Sequence, residues 1–310
     1  MDKPCAEKVV SRPYQGDEDW WAVRRLLIDT YPVTPPLWNW EMRHWDGSRF
    51  HDEIPELSVE TRRRIRLWET QEGQLVGVVH GDGPGDACIQ LDPDYRYLEE
   101  EMVVWAEAHL AVKEGERCRV EWFVWDYDVR RQALLAGRGY ERTDSTGVVR
   151  HLRLGCQPLP PVVIAEGYTL RTTRPGDLGD CERMAVLLNA AFNRTFHKAQ
   201  DYVTFTALSP SFSHDLNLVA EAPDGSFAAH VGLNYDPINR RAIYEPVCTH
   251  PAHRQKGLAQ ALMFEGLHRL RTVGAKDVFV ETGSAVPANA LYNSIGFTEI
   301  YPGREWRLVH

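Results

Sequence analysis

The sequence predicts an α/β fold of the α+β type, made twice, as two tandem domains that each hold a mixed, mostly antiparallel sheet flanked by helices. Two observations indicate this arrangement. The Pro-rich stretch 155–161 lacks apolar periodicity and is typical of a linker. Features of the first half also recur 157 or 158 residues later, where Arg96 matches Arg254 and Tyr140 matches Phe297. We therefore predict domains at 1–154 and 167–310, joined by a linker at 155–166.

Each half opens with a strand and then an amphipathic helix. In the second half, a strand leads through a glycine-containing turn into a helix with Leu258, Leu262 and Leu267 on one face. A shorter helix later ends at Gly296, because glycine commonly terminates helices. The predicted elements are, in chain order, strand 9–13, helix 17–30, strand 168–171, helix 177–192, strand 243–249, helix 258–270, strand 278–282, helix 287–295 and a last strand ending near 308.

Composition limits the function classes. Contents of 43% hydrophobic and 25% charged residues are ordinary for a soluble globular protein. The net charge of −9 argues against nucleic-acid binding and suits a cationic acceptor, although scattered surface acids give the same value. The six cysteines lack CxxC spacing, so neither a metal site nor a disulfide framework is predicted. Because no apolar leader follows Met1 and no long apolar run exists, we expect a cytoplasmic protein without membrane contact.

The turn that follows strand 243–249 is the clearest candidate binding site. A strand, a glycine-containing turn and a helix leave unpaired backbone N–H groups at the positive end of the helix dipole, where phosphate oxygens bind. Gly257 permits a close approach of the anion, and Arg254 and Lys256 add positive charge. The residues of the turn are Arg254, Gln255, Lys256, Gly257, Leu258 and Ala259.

A second motif, Leu-Tyr-x-x-x-Gly-Phe, begins at Leu291 and ends at Phe297. With the preceding Arg-x-x-Gly-x-Ala turn, it resembles the GNAT superfamily of acetyl-CoA-dependent N-acyltransferases. The two halves resemble the tandem arrangement of mycothiol synthase-like and antibiotic acetyltransferase-like proteins. The resemblance implies acetyl-CoA as co-substrate, held by the turn and by backbone groups of Val247, Cys248 and Thr249.

In GNAT enzymes this strand splays from its neighbour, which frees backbone groups for the pantetheine arm and the thioester oxygen. Pro246 removes one ladder donor and favours such a splay, although it could equally end an edge pairing. Glu245 is the candidate base, since family members carry a carboxylate on this strand. Alternatively, Glu245 forms an ion pair with Arg254 or Arg241. In that case the acceptor amine would lose its proton through a chain of ordered waters.

The resemblance makes Tyr292 the candidate acid that protonates the leaving thiolate; the alternative is an aromatic side chain packed under the last helix. Many family members have Asn seven residues before this tyrosine, where this chain has Ala285. Asn289 is therefore predicted as a substitute polar contact to pantetheine. His250 and His253 are weaker candidates for a metal or catalytic site, because no third metal ligand is present. An acyl-enzyme at Cys248 is also a weaker candidate, because the family transfers the acyl group directly.

The first half has lost these features. Glu99 and Glu101 stand opposite Gly257 and Ala259, and two carboxylates there would repel a pyrophosphate. Leu135 stands opposite Tyr292. We interpret this half as a degenerate, structural or substrate-shaping domain.

Three functions remain open at this point. The leading one is N-acetylation of a small-molecule amine, such as an antibiotic or an amino-sugar metabolite, by a monomer or homodimer. A protein or peptide acetyltransferase and a non-catalytic acyl-CoA sensor are the alternatives. Acidic residues and a Trp-rich stretch could line the acceptor pocket or simply be solvated and packed; they are Asp201, Asp215, Glu221 and 38–45.

Overall fold

The computed structural model of the chain describes residues 8–51 and 56–309. Met1 and Cys5, which entered the predictions on targeting and disulfides, lie outside the described residues. By their internal contacts the described residues form two compact units. The first unit takes its described residues from 8–45, 57–147 and 301–309, and the second from 46–51, 56 and 148–300.

The first unit is a mixed sheet with helices on its faces. Its elements are β1 (Val9–Pro13), α1 (Asp17–Thr30), α3 (Val59–Arg63), β2 (Ile65–Thr70), β3 (Leu75–His80), β4 (Asp86–Leu91), a 3-10 helix (Pro93–Leu98), α4 (Glu99–His109), β5 (Val112–Glu114), β6 (Arg117–Trp125), α5 (Val129–Gly137) and most of β13 (Glu299–Val309). The strands have the order β1-β2-β3-β4-β6-β13, and β5 pairs with the start of β6. Among these described strands, β4 and β6 form the parallel pair.

The second unit repeats this plan with the strand order β8-β9-β10-β11-β12-β7. Here β11 and β12 form the parallel pair. Its elements are β8 (Thr169–Thr172), α6 (Leu178–Phe192), α7 (Ala199–Leu208), β9 (Asn217–Glu221), β10 (Phe227–Asp236), β11 (Arg241–Thr249), a 3-10 helix (Pro251–His253), α8 (Leu258–Thr272), β12 (Asp277–Thr282) and α9 (Val286–Ile295). The predicted fold class, a mixed and mostly antiparallel sheet with flanking helices, is confirmed.

Three elements contribute residues to both units: α2 (Met42–Phe50), β7 (Glu141–Arg153) and β13 (Glu299–Val309). The end of β7 pairs with β12, and most of β13 pairs with β6. The last strand of each half therefore completes the sheet of the unit built mainly from the other half. The contact units consequently differ from the predicted division at 154, since residues 148–154 lie in the second unit and residues 301–309 in the first.

The second unit's core lies between its sheet and α8. Leu262, Met263, Leu267 and Leu270 are fully buried there. A Cβ on Gly266 would lie 2.8 Å from the Tyr244 hydroxyl, so the absence of a side chain lets α8 approach the sheet closely. The predicted linker packs along the same helix, where Arg271 and His268 donate to linker carbonyls at 2.7 and 2.9 Å. This packing holds the C-terminal part of α8, and the candidate binding turn lies at the opposite end of the same helix.

The opening of α6 is held by a buried charge cluster. Asp180 accepts two hydrogen bonds from Arg171 at 2.8 Å and a further one from Arg183. Burial alone would raise the pKa of Asp180, but the bonds from Arg171 and Arg183 outweigh it and hold that pKa far below its usual range. Arg171 also binds Glu221 on β9, so the cluster joins α6 to the sheet.

We expect Asp180→Ala to destabilise the protein by about 3 kcal/mol, because it leaves the two guanidinium groups without their buried partner. The pKa of Asp180 is lower in the folded than in the unfolded protein. Its stabilisation is therefore complete above about pH 5 and is lost as pH falls toward the folded pKa. Urea unfolding at pH 7 and pH 3 measures this. An equal loss at both pH values would contradict the assignment.

Among the described residues, no helix combines the length and the apolar character that crossing a membrane requires.

Candidate active site

The predicted phosphate-binding turn has an anion-binding backbone. Gln255 and Gly257 adopt left-handed conformations, with φ of 62° and 71°. Gly257 is the N-cap of α8, no side chain caps the helix, and its first turn contains no acidic residue. Within the described residues, the backbone N–H groups of 255–260 find no protein acceptor; the first paired one is Ala261, which donates to the Gly257 carbonyl at 3.0 Å. The turn thus presents a cluster of free donors at the positive end of a helix.

Side chains beside the turn are held in fixed positions. Arg254 donates to the carbonyls of Thr249 at 3.4 Å and Ala191 at 3.2 Å, so it ties the turn to β11 and α6. Lys256 lies over the Tyr168 ring at 5.3 Å, and the Tyr168 hydroxyl bonds His253 Nδ1 at 2.8 Å. The Arg254 guanidinium therefore has backbone acceptors on both β11 and α6.

Strand β11 has an open edge next to the turn. It pairs with β12 only from Arg241 to Tyr244, and its remaining residues to Thr249 keep only their β10 neighbours. The two parallel strands thus diverge at Glu245 and Pro246. The divergence lies at the position that the sequence predicted for the splay.

The direction of the backbone groups along this edge follows from the ladder. His250 N–H donates to the Ala228 carbonyl at 2.8 Å, which makes this a hydrogen-bonded position. In an antiparallel pair such positions alternate, so Cys248 bonds to His230 across the ladder while Val247 and Thr249 point their N–H and C=O groups to the open edge. The prediction that Cys248 presents backbone groups to the cofactor needs correction, because its register commits them to β10.

Tyr292 lies on α9 at this opening. Its ring is 5% exposed and contacts Phe297 edge-on at 6.3 Å. Burial, with a smaller effect from the nearby Cys248, raises the pKa of Tyr292 to about 12. Burial also raises the pKa of Cys248 to about 12. Within the described residues the Tyr292 hydroxyl has no hydrogen-bond partner, so a neutral phenol with a free proton lies beside the opened strand.

A bulge between β10 and β11 shapes the opening at Glu245. The register shifts between Val231 and Leu233, opposite the Glu245–Pro246 bond. A Cβ on Gly232 would lie 2.5 Å from the Glu245 carbonyl oxygen, closer than such contacts permit. Asn234 donates to the same oxygen at 3.4 Å. Glycine at 232 therefore allows the approach that turns β11 away from β12.

We expect Gly232→Ala to lower the turnover of acetyl-CoA at least about tenfold, because the added methyl group must push the Glu245 carbonyl and close or distort the bulge. Steady-state thiol release measures the effect, with circular dichroism as a check on folding. Gly155→Ala is the matched control, since a Cβ there meets nothing within 4 Å. Equal rates for the two variants would show that the bulge does not shape the site.

Asn289 is used differently from the prediction. Its amide nitrogen donates to the carbonyls of Gly283 at 2.9 Å and Ala285 at 3.0 Å, and its amide oxygen accepts from Arg150 at 2.8 Å. Both amide hydrogens are therefore committed to holding the start of α9. The prediction of a pantetheine contact from Asn289 is not supported; the side chain positions the helix that carries Tyr292.

The candidate acceptor residues have local partners. Asp201 accepts from the Lys198 N–H at 3.1 Å as part of the α7 capping box, and Glu221 pairs with Arg171. Arg269 donates to the Asp215 backbone carbonyl at 2.7 Å, a bond that does not use the carboxylate. In the Trp-rich stretch, Trp38 and Trp45 are core residues, 5% and 1% exposed.

Within the described residues, one cluster of carboxylates is compact enough to hold a metal ion; it consists of Asp86, Glu121 and Glu305. Arg119 and Arg307 both contact Glu121, so guanidinium groups already neutralise it. The cluster is an ion-pair network of the first unit.

Sequence reasoning missed three supporting residues: Tyr168, Arg150 and Gly232. Each lies at least 13 positions from its partner in the site, and no local pattern links the two. The only available signal was glycine inside a strand, which often marks a bulge.

Comparison with known proteins shows what this chain is similar to. Residues 182–297 match the Acetyltransferase (GNAT) family. The mycothiol acetyltransferase of Thermomonospora curvata is 27% identical over 294 residues, which cover 88% of this chain and 94% of that protein.

Two solved structures share the fold across almost the whole chain. A GCN5-related N-acetyltransferase from Sphaerobacter thermophilus has a TM-score of 0.63 at 20% identity, with 97% of this chain and 95% of that one covered. A tandem GNAT protein from the clavulanic acid biosynthesis pathway has a TM-score of 0.65 at 16% identity, with 97% and 98% covered.

The fold and the family match define the class of protein: an acyltransferase that uses acetyl-CoA as its co-substrate. The chain carries a GNAT acetyltransferase domain over residues 182–297.

Proposed function

We propose that the protein transfers the acetyl group of acetyl-CoA to a primary amine of a small molecule, by direct attack of the amine while both substrates are bound. The observation that carries the proposal is the run of free N–H donors at 255–260 beside the open edge of β11. Donors for a diphosphate and an unpaired strand edge for an extended amide chain are the two features that an acyl-CoA ligand requires.

The residues present fit this co-substrate. The turn from Arg254 to Ala259 would hold the diphosphate, and Lys256 would add positive charge. Val247 and Thr249 would pair with the amide groups of the pantetheine arm. Bound acetyl-CoA supplies a thioester carbonyl that an amine can attack.

Two side chains would move the protons. Glu245, at the point of divergence, would accept a proton from the acceptor ammonium directly or through water. Tyr292 would donate its proton to the thiolate as it leaves, since its raised pKa keeps the phenol protonated at neutral pH. Because the phenol of Tyr292 is more acidic than water, this donation avoids releasing a free thiolate into the site.

A small-molecule acceptor is favoured over a peptide by the name of the mycothiol acetyltransferase relative, which aligns over most of both chains. An antibiotic or an amino-sugar metabolite is the acceptor class that we propose. A protein or peptide acetyltransferase would need a long groove for an extended chain. A sensor would bind acetyl-CoA without turnover.

Thiol release from acetyl-CoA, measured against amino sugars, aminoglycosides, polyamines and Lys peptides, tests the proposal. We expect an amino sugar or aminoglycoside to give the highest kcat/KM. Preference for peptides would support the second function. If acetyl-CoA stabilised the protein thermally while no amine increased thiol release, the sensor function would replace the enzyme.

A further inference from the structure

The first unit also contains an opened strand edge, and the edge is covered. Strand β4 pairs with the parallel strand β6 only at Asp86 and Ala87, so it diverges from β6 before its end at Leu91. Asp92 N–H donates to the Val76 carbonyl at 2.8 Å, the counterpart of the bond from His250 to Ala228. By the same alternation, Leu91 points its N–H and C=O groups to the open edge, as Thr249 does in the second unit.

A segment of the chain itself, residues 36–40, binds this edge. The Asn39 amide nitrogen donates to the Leu91 carbonyl at 2.9 Å, and the Leu91 N–H donates to the Asn39 amide oxygen at 2.9 Å. One side-chain amide thus makes the paired bonds that an extended backbone or a pantetheine amide would make. Next to it, Trp40 N–H donates to the Gln90 side-chain oxygen at 2.7 Å.

The diverging strand β6 holds the other side of the segment. Trp125 Nε1 donates to the Leu37 carbonyl at 2.7 Å, and the hydroxyl of Tyr127 donates to the Pro36 carbonyl at 2.7 Å. Leu37 adopts a left-handed conformation with φ of 59°, which costs a branched residue about 1 kcal/mol or more. The bonds on both sides offset this cost and keep the segment in the gap between β4 and β6.

The phosphate corner of the first unit is filled as well. Glu99, opposite Gly257 in the repeat, begins α4 and is 2% exposed. Its carboxylate accepts from Arg131 at 2.7 and 3.0 Å and from Arg96 at 3.0 Å. A carboxylate of the chain itself therefore lies in the first turn of this helix, where two guanidinium groups bind it and no side chain caps the helix.

The Trp38 side chain joins the two filled positions. The guanidinium groups of Arg96 and Arg131 each lie 5.2 Å from its ring centroid, and its Nε1 donates to Asp128 at 2.7 Å. Asp128 caps α5, the counterpart of α9. A continuous set of contacts therefore connects the open edge of β4 with the start of α4.

We infer that the first unit keeps an acyl-pantetheine-shaped site and that the chain fills it permanently, with Asn39 in place of the pantetheine amide and the Glu99 carboxylate in place of the diphosphate. The internal ligand stabilises this unit as a bound cofactor would. The chain consequently binds one acyl-CoA, in the second unit. The inference rests on the proposed function for the identity of the ligand that is replaced.

Equilibrium dialysis of the full chain with labelled acetyl-CoA tests the stoichiometry. We expect one site per chain in the wild type and none in Gly257→Glu. A remaining site in Gly257→Glu would overturn the inference and leave the proposed function intact. Absence of binding to the wild type would overturn the proposed function instead. The Asn39→Ala variant described next would then decide the inference.

The internal ligand is tested in the Gly257→Glu background by Asn39→Ala. Loss of three buried hydrogen bonds, two with the Leu91 backbone and one to the Thr30 hydroxyl, should lower the midpoint of thermal unfolding by about 5 °C, and millimolar pantetheine should restore about 2 °C. Gln71→Ala, an exposed amide of the same unit, should show neither effect. The inference is wrong if pantetheine raises the unfolding midpoint equally in the Asn39→Ala and Gln71→Ala variants, or in neither of them.

Discussion

Gly257→Glu is expected to weaken acetyl-CoA binding at least about 100-fold. Gly257 has φ of 71°, a conformation that costs a residue with a side chain about 1 kcal/mol. The new carboxylate would also lie at the end of α8 that offers free N–H donors, where it would occupy them or repel a diphosphate. The strain is present with and without ligand, so the loss of affinity comes from the added charge and the occupied donors; we expect about 3 kcal/mol, which is two orders of magnitude in affinity. Isothermal titration calorimetry measures the dissociation constant.

Gly225→Glu is the matched control for this variant. Gly225 has φ of 80°, belongs to the same unit, and a Cβ there meets nothing within 4 Å. It therefore imposes a similar backbone strain and the same added charge in the loop between β9 and β10, outside the binding turn. Equal losses of affinity in the two variants would mean that the donors of the turn do not hold the co-substrate.

The backbone conformation of residues 254–259 was predictable because it is determined locally. The spacing of Arg254, Gly257 and Ala259 after a strand already specifies a turn, a left-handed glycine and a helix start. The short helix that carries Tyr292 was predictable for a related reason, since it ends at Gly296 in the predicted way. The predicted bounds of helix 17–30 agree with the structure for the same reason, because periodicity and capping act over a few residues.

Long-range pairing was not predictable. The exchange of β7 and β13 between the units depends on partners more than 120 residues away, and alternating strand patterns do not specify a partner. Asn289 was assigned to the cofactor because the sequence does not reveal that Arg150 and two carbonyls use its amide. The commitment of Cys248 to β10 depends on ladder register, which single-sequence patterns leave open.

The first half shows that a sequence can indicate a lost feature without indicating what replaces it. Glu99 in place of glycine predicts that a diphosphate is repelled. It did not indicate that Arg96 and Arg131 bind the carboxylate, because such pairing requires the fold. For the Trp-rich stretch, the sequence did not distinguish a pocket lining from core packing. The hydrogen bond from Asn39 to Leu91 shows that part of this stretch lies against the edge of β4.

Tyr292→Phe is expected to lower kcat by about 100-fold to 1,000-fold while the affinity for acetyl-CoA stays nearly constant. The ring is buried and packs against Phe297, so phenylalanine keeps its volume and its contacts. Only the hydroxyl proton is lost, and in the described chain no protein group depends on it. The loss should therefore appear when the thiolate leaves, which affects kcat and not cofactor binding. Steady-state kinetics and titration calorimetry separate the two.

Tyr244→Phe distinguishes this role from a structural one. Its hydroxyl is also buried, but it donates to the Met263 carbonyl at 2.6 Å inside the core. Removing that hydroxyl should cost about 1 kcal/mol of stability and leave kcat within a factor of two or so. If Tyr292→Phe behaved in the same way, with lower stability and unchanged kcat, the leaving thiolate would take its proton from water, and the buried phenol would serve packing alone.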